Sequence, residues 1–278
     1  MDSLTQTQLI VLAIEVILVA AGILAWIITF RRGASRALVW DVPVTDTLFL
    51  AWAILFGAFL GQLVGVVLLK MLPAAMRASE AVQIIVVGGC FDAGCIGAWL
   101  GVHYFMRAKG QALPAASEAP ARIGTTLRDS GIVFIRALPV IAVVGLAASA
   151  ALQALNIPVK EQDVVGVFAR TDSPVALAGM LVLAVIVAPV AEELIFRAGL
   201  FRTLSGRIGR WPAIAVSSSL FALLHLSWAS FVPLFCLGAL FCLAYERTRN
   251  LAVPIIAHGL FNLNSIVLIV VLPPELLQ

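Results

Sequence analysis

Charged side chains are scarce in this sequence: Lys, Arg, Asp and Glu together occupy only 12% of its 278 positions. Soluble domains usually carry charge at about a quarter of their positions. Hydrophobic residues make up 62% of the chain, and the mean hydropathy is +1.07. A water-soluble fold of this size could not cover so much apolar surface, whereas a bilayer removes the need to cover it. The composition therefore predicts an integral membrane protein.

The net charge argues against a nucleic-acid-binding protein, and the cysteine spacing argues against a zinc-ribbon or CxxC protein. A formal charge of +3 is too small to indicate a nucleic-acid partner. The cysteines lie within apolar runs and have neither zinc-ribbon spacing nor a CxxC pair, so we expect buried, unreactive thiols. They are Cys90, Cys95, Cys236 and Cys242.

The first ten residues contain no Lys or Arg, so the basic region that opens a cleavable signal peptide is missing. Basic residues follow the first apolar run instead. Because Lys and Arg favour the cytoplasmic side of a membrane, we expect a retained span whose N-terminus lies outside.

Eight apolar segments come close to the roughly 20 residues that a membrane-spanning helix needs. Arg and Lys are concentrated in the connections after the first, third, fifth and seventh segments. The sequence therefore predicts an all-α bundle of about eight transmembrane helices with both termini extracytoplasmic. The break between the sixth and seventh segments, near Ser227–Ser230, is the least marked because it carries no charge. The segments cover residues 8–30, 47–69, 82–105, 131–155, 174–196, 211–228, 229–246 and 252–273.

A few polar side chains interrupt these segments. Each is a candidate functional residue, because a charge at mid-bilayer costs at least about 2.5–3.5 kcal/mol on insertion scales. For Glu15 and Asp92 three interpretations are open: the carboxyl group is protonated, it pairs with Arg136, or it lines a cavity. The polar residues are Glu15, Asp92, Arg136, Glu192, Glu193, His225, His258 and Asn262.

Two adjacent glutamates close the fifth segment. Glu193 and Arg197 are four residues apart with the acid first, which is the favourable order for a helical ion pair. Glu192 points about 100° away on the same helix. The spacing predicts a structural pair of Glu193 with Arg197, and it leaves Glu192 free for chemistry.

The sixth and eighth segments each carry a histidine. Phe221 and His225 are one turn apart, as are His258 and Asn262, so each pair shares a helix face. Gly259 leaves room for close approach beside His258. A carboxylate, two imidazoles and a carboxamide can activate a water or can together hold a metal.

The three motifs Glu-Glu-x-x-x-Arg, Phe-x-x-x-His and His-x-x-x-Asn occur here in order, each on its own span. This pattern resembles the CPBP intramembrane protease family, which includes CAAX prenyl proteases and bacteriocin-processing and immunity proteins (the Abi domain). The resemblance covers about residues 130–273. It divides the chain into an N-terminal part, residues 1–129, with three spans and a cytoplasmic loop, and a CPBP-like core, residues 130–278.

The resemblance implies peptide-bond hydrolysis inside the membrane. Glu192, assisted by His225, would activate water, and His258 with Asn262 would face the oxyanion. Supporting roles are implied for Glu193, Arg197 and Phe221. The implied partners are membrane lipid and a membrane-associated peptide or protein, lipid-modified ones included, and the implied location is the bacterial cytoplasmic membrane.

The metal requirement stays open at this point. The chain has no HExxH motif, so the same residues fit a metal-free water or a divalent metal such as zinc held by Glu192, His225 and His258. Two other functions compete with the peptidase: a non-catalytic scaffold or immunity protein of the same family, and a proton-coupled transporter. We rank the transporter last because the sequence shows no pair of symmetric halves.

Depth within the membrane sets one condition on this site. His258 lies about 9 Å from the expected cytoplasmic edge, whereas His225 lies about 20 Å from Trp211, at 1.5 Å per helical residue. The two groups meet only if the sixth span starts deeper, tilts, or follows a re-entrant stretch.

Overall fold

The computed structural model describes residues 4–29, 43–110, 122–156 and 163–272. In these ranges the chain is helical and contains no strand. A single helical turn, Ala74–Arg77, separates the second and third helices. The helices are α1 (Gln6–Thr29), α2 (Val44–Met71), α3 (Glu80–Ala108), α4 (Ile123–Ala154), α5 (Asp163–Arg170), α6 (Pro174–Ile208), α7 (Arg210–Leu223), α8 (Trp228–Thr248) and α9 (Ala252–Val271).

Within the described residues, seven helices are long and apolar enough to cross a membrane: α1, α2, α3, α4, α6, α8 and α9. Their outward side chains include Trp52, Phe59 and Ile27, each at least 66% exposed, which is the surface that lipid covers. The prediction of an all-α, multi-pass membrane protein is confirmed.

The predicted sixth span, residues 211–228, is wrong in its extent, because α7 has only 14 residues and ends at Leu223. At about 21 Å it is shorter than the hydrocarbon core of roughly 30 Å. The chain then turns through Leu226, whose backbone is left-handed (φ 51°). Ser227 is extended, and its hydroxyl accepts the N–H of Ser230 and so caps the start of α8. This cap lies at the uncharged break that the sequence analysis places near Ser227–Ser230.

The helix α6 runs for 35 residues and extends beyond the predicted end at 196. It starts where the Ser173 hydroxyl accepts the N–H of Ala176. Two π-helical segments widen it, Leu183–Val187 and Leu194–Phe201. Such segments are frequent at functional sites, and here the two glutamates lie directly between them.

Glycines bring α2 and α3 into close contact. A Cβ added at Gly57 would overlap the carbonyl oxygen of Gly94, and one added at Gly61 would overlap that of Cys90. Gly97 and Gly101 have open space instead, and both line a groove of about 630 Å³ between the two helices. Helix packing therefore accounts for the glycines of α2 but not for Gly97 and Gly101.

Candidate active site

A buried ion pair lies at the centre of the site. Nη1 of Arg197 is 2.9 Å from Oε1 of Glu193, and both side chains are fully buried. This confirms the pair predicted from their spacing. The guanidinium lies 4.5 Å from the Phe221 ring centre and 5.3 Å from that of Phe241, and Nη2 donates to the carbonyl of Gly238. A buried charge needs such compensation. These contacts of Arg197 hold α6 against α7 and α8.

The same carboxylate holds His258. Nδ1 of His258 lies 3.0 Å from Oε1 of Glu193. Since Nδ1 faces a carboxylate oxygen, we assign the N–H to Nδ1. The ring is 3% exposed and packs against Phe221 and Phe241, with centroid distances of 5.7 and 5.1 Å. Sequence reasoning missed this role of Glu193, because the contact joins residues 65 positions apart.

Glu192 faces the other side of the imidazole. Its Oε2 lies 3.7 Å from Nε2 of His258, which is longer than a hydrogen bond. That oxygen is buried and has no hydrogen-bond partner in the described part of the chain. The side chain as a whole is 27% exposed. The two glutamates thus occupy different environments, with Glu193 enclosed and Glu192 open to an approaching molecule.

His225 joins this cluster through Phe221. It lies in the turn after α7, where Nδ1 is 2.8 Å from the carbonyl oxygen of Phe221 and the two rings are 4.9 Å apart. Phe221 is fully buried and contacts the rings of both histidines. Phe221 thus links His225 to His258, although among the described residues His225 makes no ion pair with Glu192.

Asn262 lies one turn beyond His258 on α9. Its Nδ2 donates to the carbonyl of Ala184, at 2.8 Å, within the first π-helical segment of α6. Gly259 lies against the same segment, because an added Cβ would overlap the carbonyl oxygen of Val185. These contacts fix α9 beside α6 and leave one N–H of the carboxamide for another acceptor.

The described side chains do not fit a metal site. Catalytic zinc usually has three protein ligands, and the described ranges contain no group of three His, Cys, Asp or Glu side chains placed to hold an ion. Nδ1 of His258 is occupied by Glu193, and Nδ1 of His225 by a backbone carbonyl. Glu192, His225 and His258 do not form such a three-ligand group in the described ranges.

The comparisons with known proteins point to one family. Residues 174–264 match the family described as type II CAAX prenyl endopeptidase Rce1-like, and this segment contains all three motifs. The chain is 40% identical over 100 residues to the membrane-embedded CAAX protease MroQ of Staphylococcus aureus (strain USA300), covering 34% of this chain and 40% of MroQ. It is 33% identical over 95 residues to the putative membrane peptidase YdiL of Bacillus subtilis (strain 168), covering 34% of this chain and 38% of YdiL.

The chain thus matches about two fifths of the length of these curated relatives. No solved structure matches it. The matched segment spans nearly all of α6 to α9, the helices that assemble the buried pair, both histidines and the carboxamide. The motifs, the contacts among the residues that carry them and the family match agree, and residues 174–264 are similar to the CPBP family of CAAX-protease-like membrane proteins.

Proposed function

We propose that this protein is an intramembrane endopeptidase in which Glu192 activates the attacking water. The observation that carries the proposal is the position of Glu192, with Oε2 3.7 Å from Nε2 of His258 and no hydrogen-bond partner among the described residues. A carboxylate that is half-buried, unpaired and beside an oriented imidazole has the surroundings of a general base. The family match supports peptidase chemistry at the level of the family.

The reaction follows from these positions. Glu192 accepts a proton from water while the water oxygen attacks the carbonyl carbon of the peptide bond. The carbonyl oxygen becomes an oxyanion. Glu192 then returns the proton to the amide nitrogen, the C–N bond breaks, and an acid and an amine are released.

His258 and Asn262 are the proposed donors to the oxyanion. When both ring nitrogens carry protons, Nε2–H of His258 can donate to the oxyanion while Nδ1–H stays on Glu193. Asn262 donates its second N–H, since the first is bound to Ala184. Each donor of this kind is typically worth about 2.7–4 kcal/mol in a dry site.

His225 is proposed to hold the water with Glu192. Because its Nδ1 lies against the Phe221 carbonyl, that nitrogen carries the proton. Nε2 then has a lone pair that can accept the second O–H of the water. A water held at both hydrogens presents its oxygen to the substrate, which is the orientation that attack requires.

The surface beside His225 supports a substrate that arrives from the lipid. Leu226 and Trp228 are 92% and 78% exposed, and both lie at the turn between α7 and α8, which we place within the membrane. Lipid-exposed non-helical backbone is avoided there unless it lines a cavity or is buried in protein. We infer that lipid-anchored peptides reach the site at this turn, which agrees with the CAAX substrates named for the family and for MroQ.

We further infer that the protein lies in a bacterial cytoplasmic membrane with both termini extracytoplasmic, with the short α7 as the sixth of eight crossings, because an even number of crossings puts both termini on one side. The relatives are bacterial, and the arginines cluster in alternate connections. The odd-numbered spans should then cross in the same direction. The contacts of α3 with α6, the third and fifth spans, support this direction, since Gly88 lies against Leu183 and Cys95 belongs to the same buried cluster as Ala191.

The test is peptidase activity of the purified protein in liposomes. A library of fluorogenic peptides ending in Cys-aliphatic-aliphatic-Met would be offered with a farnesyl group on the Cys, and again without it. Wild-type protein should cleave membrane-anchored members, and Glu192→Gln should not. Equal cleavage by the two proteins would contradict the proposal. Unfolding of Glu192→Gln without any wild-type turnover would favour the scaffold alternative.

A further inference from the structure

Asp92 lies outside the segment that matches the family. It is on α3, in the N-terminal part of the chain, and is buried at 9% exposure. Neither a hydrogen bond nor an ion pair of Asp92 is found among the described residues. A carboxyl group inside a membrane-spanning helix is costly, so a buried, unpartnered one needs a reason.

The packing of α3 on α6 brings Asp92 beside Glu192. The two helices run side by side in the same direction: Gly88 lies against Leu183, and Cys95 belongs to the same buried cluster as Ala191. Asp92 falls between these two contacts on α3, and Glu192 follows Ala191 on α6. The two carboxyl groups are close enough to interact electrostatically.

Two negative charges so close together in a low-dielectric site repel strongly, so such a pair holds one proton between its members. Asp92 is the more buried of the two, at 9% residue exposure against 27% for the Glu192 side chain. An uncompensated charge therefore costs more on Asp92. Its neutral form has an O–H that needs an acceptor, and Glu192 has a buried oxygen that lacks a donor.

We propose that Asp92 is a positioning residue of the site, a neutral carboxyl group that donates its O–H to the Glu192 carboxylate. This inference rests on the proposed function. The hydrogen bond holds one oxygen of Glu192 in place and leaves the other for water. The N-terminal helices then contribute to the site, and α3 completes what α6 to α9 assemble.

Two variants of Asp92 distinguish a role as hydrogen-bond donor from a role as negative charge. Asp92→Asn keeps a donor at this position whatever the pH, because a carboxamide always carries N–H groups. Asp92→Leu is apolar, favours helix and has no donor. If the negative charge of Asp92 were what mattered, both variants would fail alike. If it is the donor that matters, only Asp92→Leu fails.

The experiment measures kcat and KM in liposomes with the best-cleaved farnesylated peptide, for wild type, Asp92→Asn, Asp92→Leu and the control Asp46→Asn at the start of α2. We expect Asp92→Leu to lose kcat on the order of a hundredfold, as a misplaced catalytic group does, with KM unchanged. Asp92→Asn should stay within about threefold of wild type, and Asp92→Leu should unfold at no lower temperature, because it replaces a buried polar group by an apolar one.

Wild-type kcat in Asp92→Leu would overturn the proposal, and so would equal losses in the two Asp92 variants. A kcat loss in Asp92→Leu that follows a lower unfolding temperature would also overturn it, because that result assigns Asp92 to folding. Glu192→Gln is measured in parallel. If Glu192→Gln is inactive while Asp92→Leu is active, only the role of Asp92 fails. If Glu192→Gln is active, the proposed function itself fails.

Discussion

Nδ1 of His258 lies 3.0 Å from Oε1 of Glu193, the carboxylate oxygen that also lies 2.9 Å from Nη1 of Arg197. One oxygen thus connects a fixed positive charge to the imidazole. The arrangement orients the ring and directs Nε2 towards Glu192. The second glutamate of the motif is therefore part of the site's geometry as well as part of a structural pair.

The first prediction concerns this buried pair. Glu193→Gln leaves the Arg197 guanidinium without its counter-charge in a fully buried place. We expect a loss of about 3–5 kcal/mol in the free energy of unfolding, as for other broken buried pairs. The measurement is denaturant unfolding in detergent micelles. Asp129→Asn is the control, because it removes the exposed partner of Arg128 and should cost under about 1 kcal/mol. Equal losses in the two variants would show that the pair contributes little.

The second prediction concerns Gly259. A methyl group there meets the carbonyl oxygen of Val185, so Gly259→Ala should push α9 away from α6 and cost about 1–3 kcal/mol of stability. Peptidase activity should fall as well, because His258 is the preceding residue. Gly97→Ala is the matched control: Gly97 is also helical but has nothing within 4 Å. Wild-type stability of Gly259→Ala would mean that the two helices are not held in this contact.

The third prediction concerns Phe221, whose ring contacts His225, His258 and Arg197. Phe221→Leu keeps the position apolar but removes the surface that fixes both imidazoles. We expect kcat to fall by about tenfold or more through misplacement of these groups, with KM nearly unchanged. Phe59→Leu, at a position 66% exposed on α2, should retain the wild-type kcat. A loss confined to KM would assign Phe221 to substrate binding instead.

The fourth prediction concerns metal. Because the described side chains do not provide three converging ligands, we expect hydrolysis to continue after dialysis against EDTA and in the presence of 1,10-phenanthroline. Elemental analysis of the active protein should find much less than one equivalent of zinc. Activity that is lost to the chelator and restored by added zinc would contradict this expectation and would place an ion among Glu192, His225 and His258.

The local features of the site could be predicted from the sequence because they depend on neighbours along one helix. The Glu193–Arg197 pair follows from the i, i+4 spacing, and the freedom of Glu192 follows from the 100° between adjacent residues. The close approach at Gly259 follows from a missing side chain. The family resemblance rests on the same local patterns.

The contacts between helices could not be predicted in this way. The bond of His258 to Glu193 and that of Asn262 to Ala184 join residues 65 and 78 positions apart, and no spacing rule fixes such pairs. The short α7 also escaped the hydropathy pattern, because the turn at residues 224–227 is nearly as apolar as the helix before it. The sequence marks Asp92 only as a costly charge in a membrane span. Its proximity to Glu192 depends on the packing of α3 against α6.

Glu192→Gln tests the central claim most directly. The variant keeps the shape of the side chain but removes the base, so it should reduce kcat in liposomes by about 10²–10⁴-fold, the usual contribution of general acid–base catalysis. Its unfolding temperature should match that of the wild type, and Glu15→Gln, a control at an intramembrane glutamate outside the site, should remain active. A folded Glu192→Gln protein that cleaves the farnesylated peptide at the wild-type rate would contradict the account.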